Sequence, residues 1–206
     1  YAMTQFEINN IFCGHGCADT YEEAYFLVLR SLKLNFEDSD RFWDARVSNA
    51  ELKMLLERIE KRAVEKIPTP YLLQEAWLID HPFYCDERVI IPRSYIAELL
   101  KDELAPWVSN PENVTRVLDL CTGSGCLGII AAEVFPTAKV DCVDISQDAL
   151  DVAKINVECY GMQDRIELIK SDLFNDLGDR QYDVIISNPP YVTQEAMDDL
   201  PGEYHP

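Results

Sequence analysis

The 206-residue chain, 48% hydrophobic and 27% charged, has the balance of an ordinary soluble globular protein and the length of one medium domain or a small one with an accessory. Its 18 basic and 37 acidic residues leave a net charge of −19, which argues against a protein that lives on nucleic acid and suits a basic macromolecular substrate or a cationic cofactor. The acidity grows along the chain, from nine basic against fifteen acidic residues over 1–86 to nine against twenty-two over 87–206.

Residues 1–82 read as a helical domain. Cys13-Gly14-His15-Gly16-Cys17 lacks a second ligand pair at zinc spacing, so it reads as a turn between helices and no metal is expected. Tyr21 to Leu32 carries apolar residues at helical spacing after a capping Asp19 or Thr20. Glu51 to Ile67 repeats the pattern after Ser48 and Asn49 and before Pro68 and Pro70. Tyr84 to Ile91 reads as a β-hairpin within a linker over 83–95, and a helix is expected from Pro92-Arg93-Ser94 through Leu104.

From Val114 the pattern alternates strand and helix. Strands are expected over Thr115–Leu120, Lys139–Val143, Ile166–Ile169 and Tyr182–Ser187, with helices at Gly128–Val134 and Asp148–Tyr160. Such alternation implies α/β architecture, an open parallel sheet with right-handed crossovers over 96–206. Four strands leave the last near an edge, no capping helix comes after it, and Tyr1-Ala2-Met3 is not a natural start, so the sequence reads as a piece of a longer protein. No signal-peptide pattern or bilayer-spanning stretch is seen, and an odd seven cysteines favour a reduced, cytoplasmic protein.

The chemistry gathers just past the C-terminal ends of those strands, where open α/β sheets place ligands. Asn188-Pro189-Pro190-Tyr191 ends the last strand in a stiff turn, because consecutive prolines offer no N–H donor. The Asn188 side-chain oxygen and the Pro189 carbonyl are acceptors, and Tyr191 adds an aromatic face, a set that suits a planar NH2 group. Asp119-Leu120-Cys121-Thr122-Gly123-Ser124-Gly125 leads into a helix, and Gly123, Gly125 and Gly128 match the dinucleotide fingerprint in form. Asp119 would repel a pyrophosphate and attract an ammonium or sulfonium; its bland alternative is a helix cap. Asp144, in Val143-Asp144-Ile145-Ser146, can accept ribose hydroxyls or cap the next helix. Asp172, in Ser171-Asp172-Leu173-Phe174, can accept from an adenine amine while Leu173 and Phe174 cover the ring.

These four segments together resemble the HemK-type protein-glutamine N5-methyltransferases. The resemblance implies a Rossmann-like class I S-adenosylmethionine-dependent methyltransferase domain preceded by a small helical substrate-recognition domain and a hairpin linker. It implies S-adenosyl-L-methionine held by Asp119, Cys121, Thr122, Gly123, Ser124, Gly125, Asp144, Ile145, Asp172, Leu173 and Asn188. Asn188, Pro189, Pro190 and Tyr191 would carry catalysis, and Pro92, Arg93, Asn188, Pro189 and Tyr191 would meet the substrate; a salt-bridge role for Arg93 stays open. It also implies that the sheet continues past Pro206.

Softer segments are similar to the branch of PrmB type, which methylates the large-subunit ribosomal protein L-three. They are Phe12 to Gly16, Asp44-Ala45-Arg46, Ala76-Trp77, Phe83 to Ser94 and Met197 to Tyr204. The release-factor branch usually has a PRPET-like sequence where this chain reads Pro92-Arg93-Ser94-Tyr95, and its substrate is the alternative partner. Adenine-N6 methylation of nucleic acid uses a similar NPPY turn but fits the acidic charge poorly. An NAD oxidoreductase conflicts with Asp119, and a noncatalytic binding module is the remaining alternative.

Overall fold

The computed structural model describes residues 1–13, 17–42 and 44–192, which form two compact units divided between Gln74 and Glu75. In the first unit the helices are α1 (Ala2–Ile8), α2 (Thr20–Ser31), α3 (Ser39–Phe42), α4 (Asn49–Ala63) and α5 (Thr69–Leu73). Asp19 caps α2 by accepting from the Glu22 N–H at 2.8 Å, and Ser48 and Glu51 form a reciprocal capping box on α4. The apolar stripes of these helices bury Phe6, Ala24, Leu27, Ile59 and Ala63 together. Helix α4 stops at Ala63, short of the expected Ile67, because Lys66 turns into the left-handed region at φ 62°. Beneath this turn Arg62 is fully buried, donating to Glu23 Oε1 at 2.5 Å and to the Phe12 carbonyl at 3.0 Å.

The second unit opens with an antiparallel hairpin, β1 (Ala76–Leu78) and β2 (His81–Phe83). The expected hairpin at Tyr84–Ile91 is therefore misplaced: strand pairing ends before it starts. Ile79 makes the turn at φ 55°, a conformation that a β-branched residue seldom takes. The apolar run that suggested a strand is a loop, with Val89 buried but Ile90 76% exposed. Asp86 holds that loop, accepting from the Arg88 N–H at 3.1 Å, the Arg88 guanidinium at 2.6–3.1 Å and the Tyr84 hydroxyl at 2.9 Å. A carboxylate that bonds the amide two residues on closes a local turn and removes those groups from any ladder. Helix α6 (Ile96–Lys101) is also shorter than expected, since Glu103 and Leu104 both take positive φ.

The main sheet keeps the expected alternation: β3 (Arg116–Leu120), α7 (Cys126–Val134), β4 (Lys139–Asp144), α8 (Gln147–Cys159), β5 (Ile166–Lys170) and β6 (Val184–Ser187). All pairings are parallel and the spatial order is β5-β4-β3-β6. The chain steps outward from β3 to β5 and then returns past β3 to β6. The topological switch therefore lies between β3 and β6, where such sheets open their ligand crevice. One face of the sheet packs on α7 and α8, with α6 against α7, around Val117, Ile129, Val140 and Cys142, all fully buried. Each fully buried Val or Ile there contributes about 1.5–3 kcal/mol. The opposite face buries Leu118, Leu120 and Val143 beneath Leu177.

Strand β6 is anchored at both ends. At its start, Asp183 accepts from the Thr115 N–H, the Thr115 hydroxyl and the Arg116 N–H at 2.7–3.0 Å. At its end, the Ser187 hydroxyl donates to the Leu120 carbonyl at 2.8 Å. This bond delivers the Asn188-Pro189-Pro190 turn beside the loop that begins at Cys121.

Candidate active site

The loop from β3 to α7 reverses direction through three left-handed residues: Cys121 at φ 62°, Gly123 at 55° and Gly125 at 78°. Its sides are fixed by close packing. A Cβ on Gly125 would stand 3.1 Å from the Ala153 Cβ of α8, and one on Gly128 would overlap the Cys142 sulfur of β4. The glycines therefore let α7 and α8 lie tightly against loop and sheet.

Asp119 shapes this loop from inside. It is 0% exposed, and its Oδ2 accepts from the Thr122 hydroxyl at 2.5 Å and the Gly128 N–H at 2.9 Å. Its Oδ1 is buried without a partner, and burial pushes its carboxyl up to about 6. Asp119 thus holds the loop as a helix cap would, through Thr122 and the Gly128 N–H of α7, and it is not among the residues lining the cavity beside it. Burial also raises the Cys121 thiol, and pushes Cys126 up to about 12, so the loop presents neutral sulfur.

Beside the loop is a cavity of about 530 Å³, within the usual range for small-molecule sites. Residues 88–94 form one wall, and the rest comes from the ends of the four parallel strands. Asp144 sits on it at the end of β4. Its Oδ2 accepts from the Gly123 N–H at 2.9 Å and its Oδ1 from the Ser146 N–H at 3.0 Å. A carboxylate has about four acceptor positions, so both oxygens keep capacity for a ligand diol. Asp172 and Leu173 come after β5, with Leu173 at φ 51° and its backbone carbonyl held by the Ser171 hydroxyl at 2.9 Å. Ile145 adds apolar surface, and Asn188, Pro189 and Pro190 complete the rim.

The structure thus gathers Pro92, Arg93, Cys121, Thr122, Gly123, Ser124, Asp144, Ile145, Asp172, Leu173, Asn188, Pro189 and Pro190 around one cavity. It leaves Asp119 and Gly125 behind the loop, and Tyr191 is 81% exposed outside the cavity lining. Sequence reasoning passed over Arg88, which lines the cavity, and Asn156, which is buried behind it. The signal for Asn156 was a polar residue on the apolar stripe of α8, in phase with Ala149 and Ala153. Among the described residues no cluster of His, Cys, Asp and Glu can hold a metal, and no helix is long and apolar enough to cross a membrane. Gly14-His15-Gly16 and Met197 to Tyr204 lie outside the described residues.

The lining fits a nucleoside-bearing ligand: an acceptor for a diol at Asp144, an acceptor for an exocyclic amine at Asp172, and apolar cover from Ile145 and Leu173. Residues 98–201 match the methyltransferase small domain family. The chain is 50% identical over 204 residues to the ribosomal protein uL3 glutamine methyltransferase of Bordetella pertussis, covering 99% of this chain and 68% of that protein. It is 49% identical over 211 residues to the protein of that name from Burkholderia pseudomallei, covering 99% and 69%. For the Francisella tularensis relative the identity is 42%, covering 100% and 65%. Among solved structures it is similar to a 16S rRNA N2 G1207 methyltransferase of T. thermophilus, at 23% identity, 58% and 33% coverage and a TM-score of 0.48.

Proposed function

This chain belongs to the family of ribosomal protein uL3 glutamine methyltransferases, and from that premise we propose that it methylates the side-chain nitrogen of a glutamine in uL3, the large-subunit protein L-three. The methyl donor is S-adenosyl-L-methionine and the reaction takes place in the cytoplasm. The observation that carries the reading is the shared cavity: Asn188 and Pro189 emerge from β6 onto the same wall system as Asp144 and the glycine loop. That shared lining supports a reading in which acceptor and nucleoside are recognised side by side.

When bound, the cofactor supplies an electrophilic methyl on a sulfonium sulfur, so that one C–S bond breaks as one C–N bond forms and the nitrogen then sheds a proton to solvent. The protein's work is positioning. An amide nitrogen is a poor nucleophile because its lone pair is delocalised into the carbonyl. The Asn188 side-chain oxygen and the Pro189 carbonyl accept its two N–H bonds, raise its electron density and aim the lone pair. Held donors and acceptors of this kind contribute several kcal/mol, on the order of 3–4, at the transition state. Tyr191 supplies a ring face at the cavity mouth, and Pro92 and Arg93 line the entry. Asp144 holds the ribose and Asp172 the adenine amine.

A ribosomal protein lives on RNA and carries basic surface, and the net charge of −19 suits such a partner and disfavours direct nucleic-acid binding. The test is methyl transfer from labelled S-adenosylmethionine by the full gene product, with free uL3, a release factor and adenine-containing DNA offered in parallel. Label on uL3 alone supports the reading. Label on the release factor keeps the chemistry and changes the acceptor, and label on DNA refutes the proposal.

A further inference from the structure

Two walls of the cavity are fastened to one buried side chain. Asn156 of α8 is 1% exposed. Its Nδ2 donates to the Tyr84 carbonyl at 2.9 Å and to the Ser124 carbonyl at 2.9 Å, and its Oδ1 accepts from the Tyr84 N–H at 2.7 Å. Ser124 belongs to the glycine loop. Tyr84 leads, through the Tyr84–Asp86–Arg88 cluster, into residues 88–94 of the opposite wall. One turn earlier on α8, Ala153 receives Gly125. The helix therefore holds the loop by packing, and holds the loop and the wall to each other by hydrogen bonds.

We propose that Asn156 is a positioning residue that couples the cofactor loop to the acceptor-side wall, so that filling the first orders the second. This rests on the reading of the cavity as an S-adenosylmethionine site. The amide is suited to the task. It pairs with both backbone groups of Tyr84, as a neighbouring strand would, at the point where β2 has run out of ladder. It still has a donor for Ser124. No aliphatic side chain of that size offers the same bonds, and an aspartate keeps the acceptor while turning oxygen toward two carbonyls.

The experiment compares the full gene product with Asn156→Asp and with Val157→Ala. Val157 is the buried neighbour on α8, contributes to the core and makes no side-chain hydrogen bond, so its truncation reports general destabilisation. Affinity for S-adenosylmethionine is measured by calorimetry at a temperature where all three proteins are folded, and amide exchange over 84–91 is measured with and without cofactor. The expected result is a loss of about tenfold in affinity for Asn156→Asp, the scale of a modest coupling, with cofactor no longer slowing exchange over 84–91. Val157→Ala should lose stability and keep both affinity and cofactor-dependent protection. Unchanged affinity and protection in folded Asn156→Asp would overturn the inference, as would equal losses in Val157→Ala. Absence of binding by the unsubstituted protein would remove the cofactor reading and the inference with it.

Discussion

Gly128 of α7 presents a bare Cα to the sulfur of Cys142 in β4, so closely that a methyl group there would overlap it. The same residue donates its N–H to Asp119, so one contact sets both the helix-to-sheet distance and the loop that begins the cavity. Gly128→Ala should cost about 1–3 kcal/mol through overpacking. Adding Cys142→Ala should recover part of that cost, because the sulfur is the atom in the way. Denaturant unfolding of the two single variants and the double variant measures the coupling. Additivity within about 0.5 kcal/mol would show that the two residues do not oppose each other.

Asp119 predicts a pH signature. Its carboxyl is raised to about 6 in the folded protein, against about 3.9 when unfolded. Between those values the folded state holds a proton that the unfolded state has released. Its stabilising contribution is therefore fully present below about pH 4 and is lost as pH rises through 6. Asp119→Asn removes this slope, so the variant should gain up to about 2–3 kcal/mol relative to the parent between pH 4 and pH 7. Parallel unfolding curves for both proteins across that range provide the check. A constant difference would show that Asp119 does not titrate there.

Asp144 should bear on ligand affinity more than on folding. Its oxygens bond the Gly123 and Ser146 amides at the cavity surface. Hydrogen bonds to a charged group are worth about 1.5–3 kcal/mol, so Asp144→Ala should weaken S-adenosylmethionine binding by about ten- to a hundredfold. Calorimetry on folded protein tests this, and affinity within about twofold of the parent would contradict it.

The helical unit carries its own test. Arg62 and Glu23 are buried together, and Thr69 donates to the same Glu23 oxygen at 2.8 Å. Arg62→Met removes the cation and strands the carboxylate, and breaking such a pair costs about 3–5 kcal/mol. Glu23→Gln keeps acceptors for both partners and should cost less. Thermal unfolding of the two variants gives the order, and an equal or reversed order would contradict it.

Much of the sheet was legible because strand and helix residues in this half obey local periodicity. Val117 and Leu118, or Val140 and Val143, are apolar on both sheet faces and read directly as buried strands. The turn at Asn188-Pro189-Pro190 was legible for a local reason too, since two prolines cannot continue a ladder. The hairpin was not, because its position depends on Ile79 accepting an unfavourable φ and on Asp86 folding the next segment onto itself. The surroundings of Asp119 were not legible for a nonlocal reason: a carboxylate at a strand end looks like an open ligand group until the partners that enclose it, Thr122 and Gly128, are placed. Asn156 was missed likewise, because its bonds reach Tyr84 and Ser124 from a position that by periodicity is simply core.

The most direct test of the central claim is peptide-resolved mass spectrometry of free uL3 after incubation with S-adenosylmethionine and the full gene product. The account predicts one added methyl on a glutamine side chain, and loss of rate by at least about a hundredfold in Asn188→Ala at saturating cofactor. Methylation of any other residue type, or an Asn188→Ala variant as fast as the parent, would contradict it.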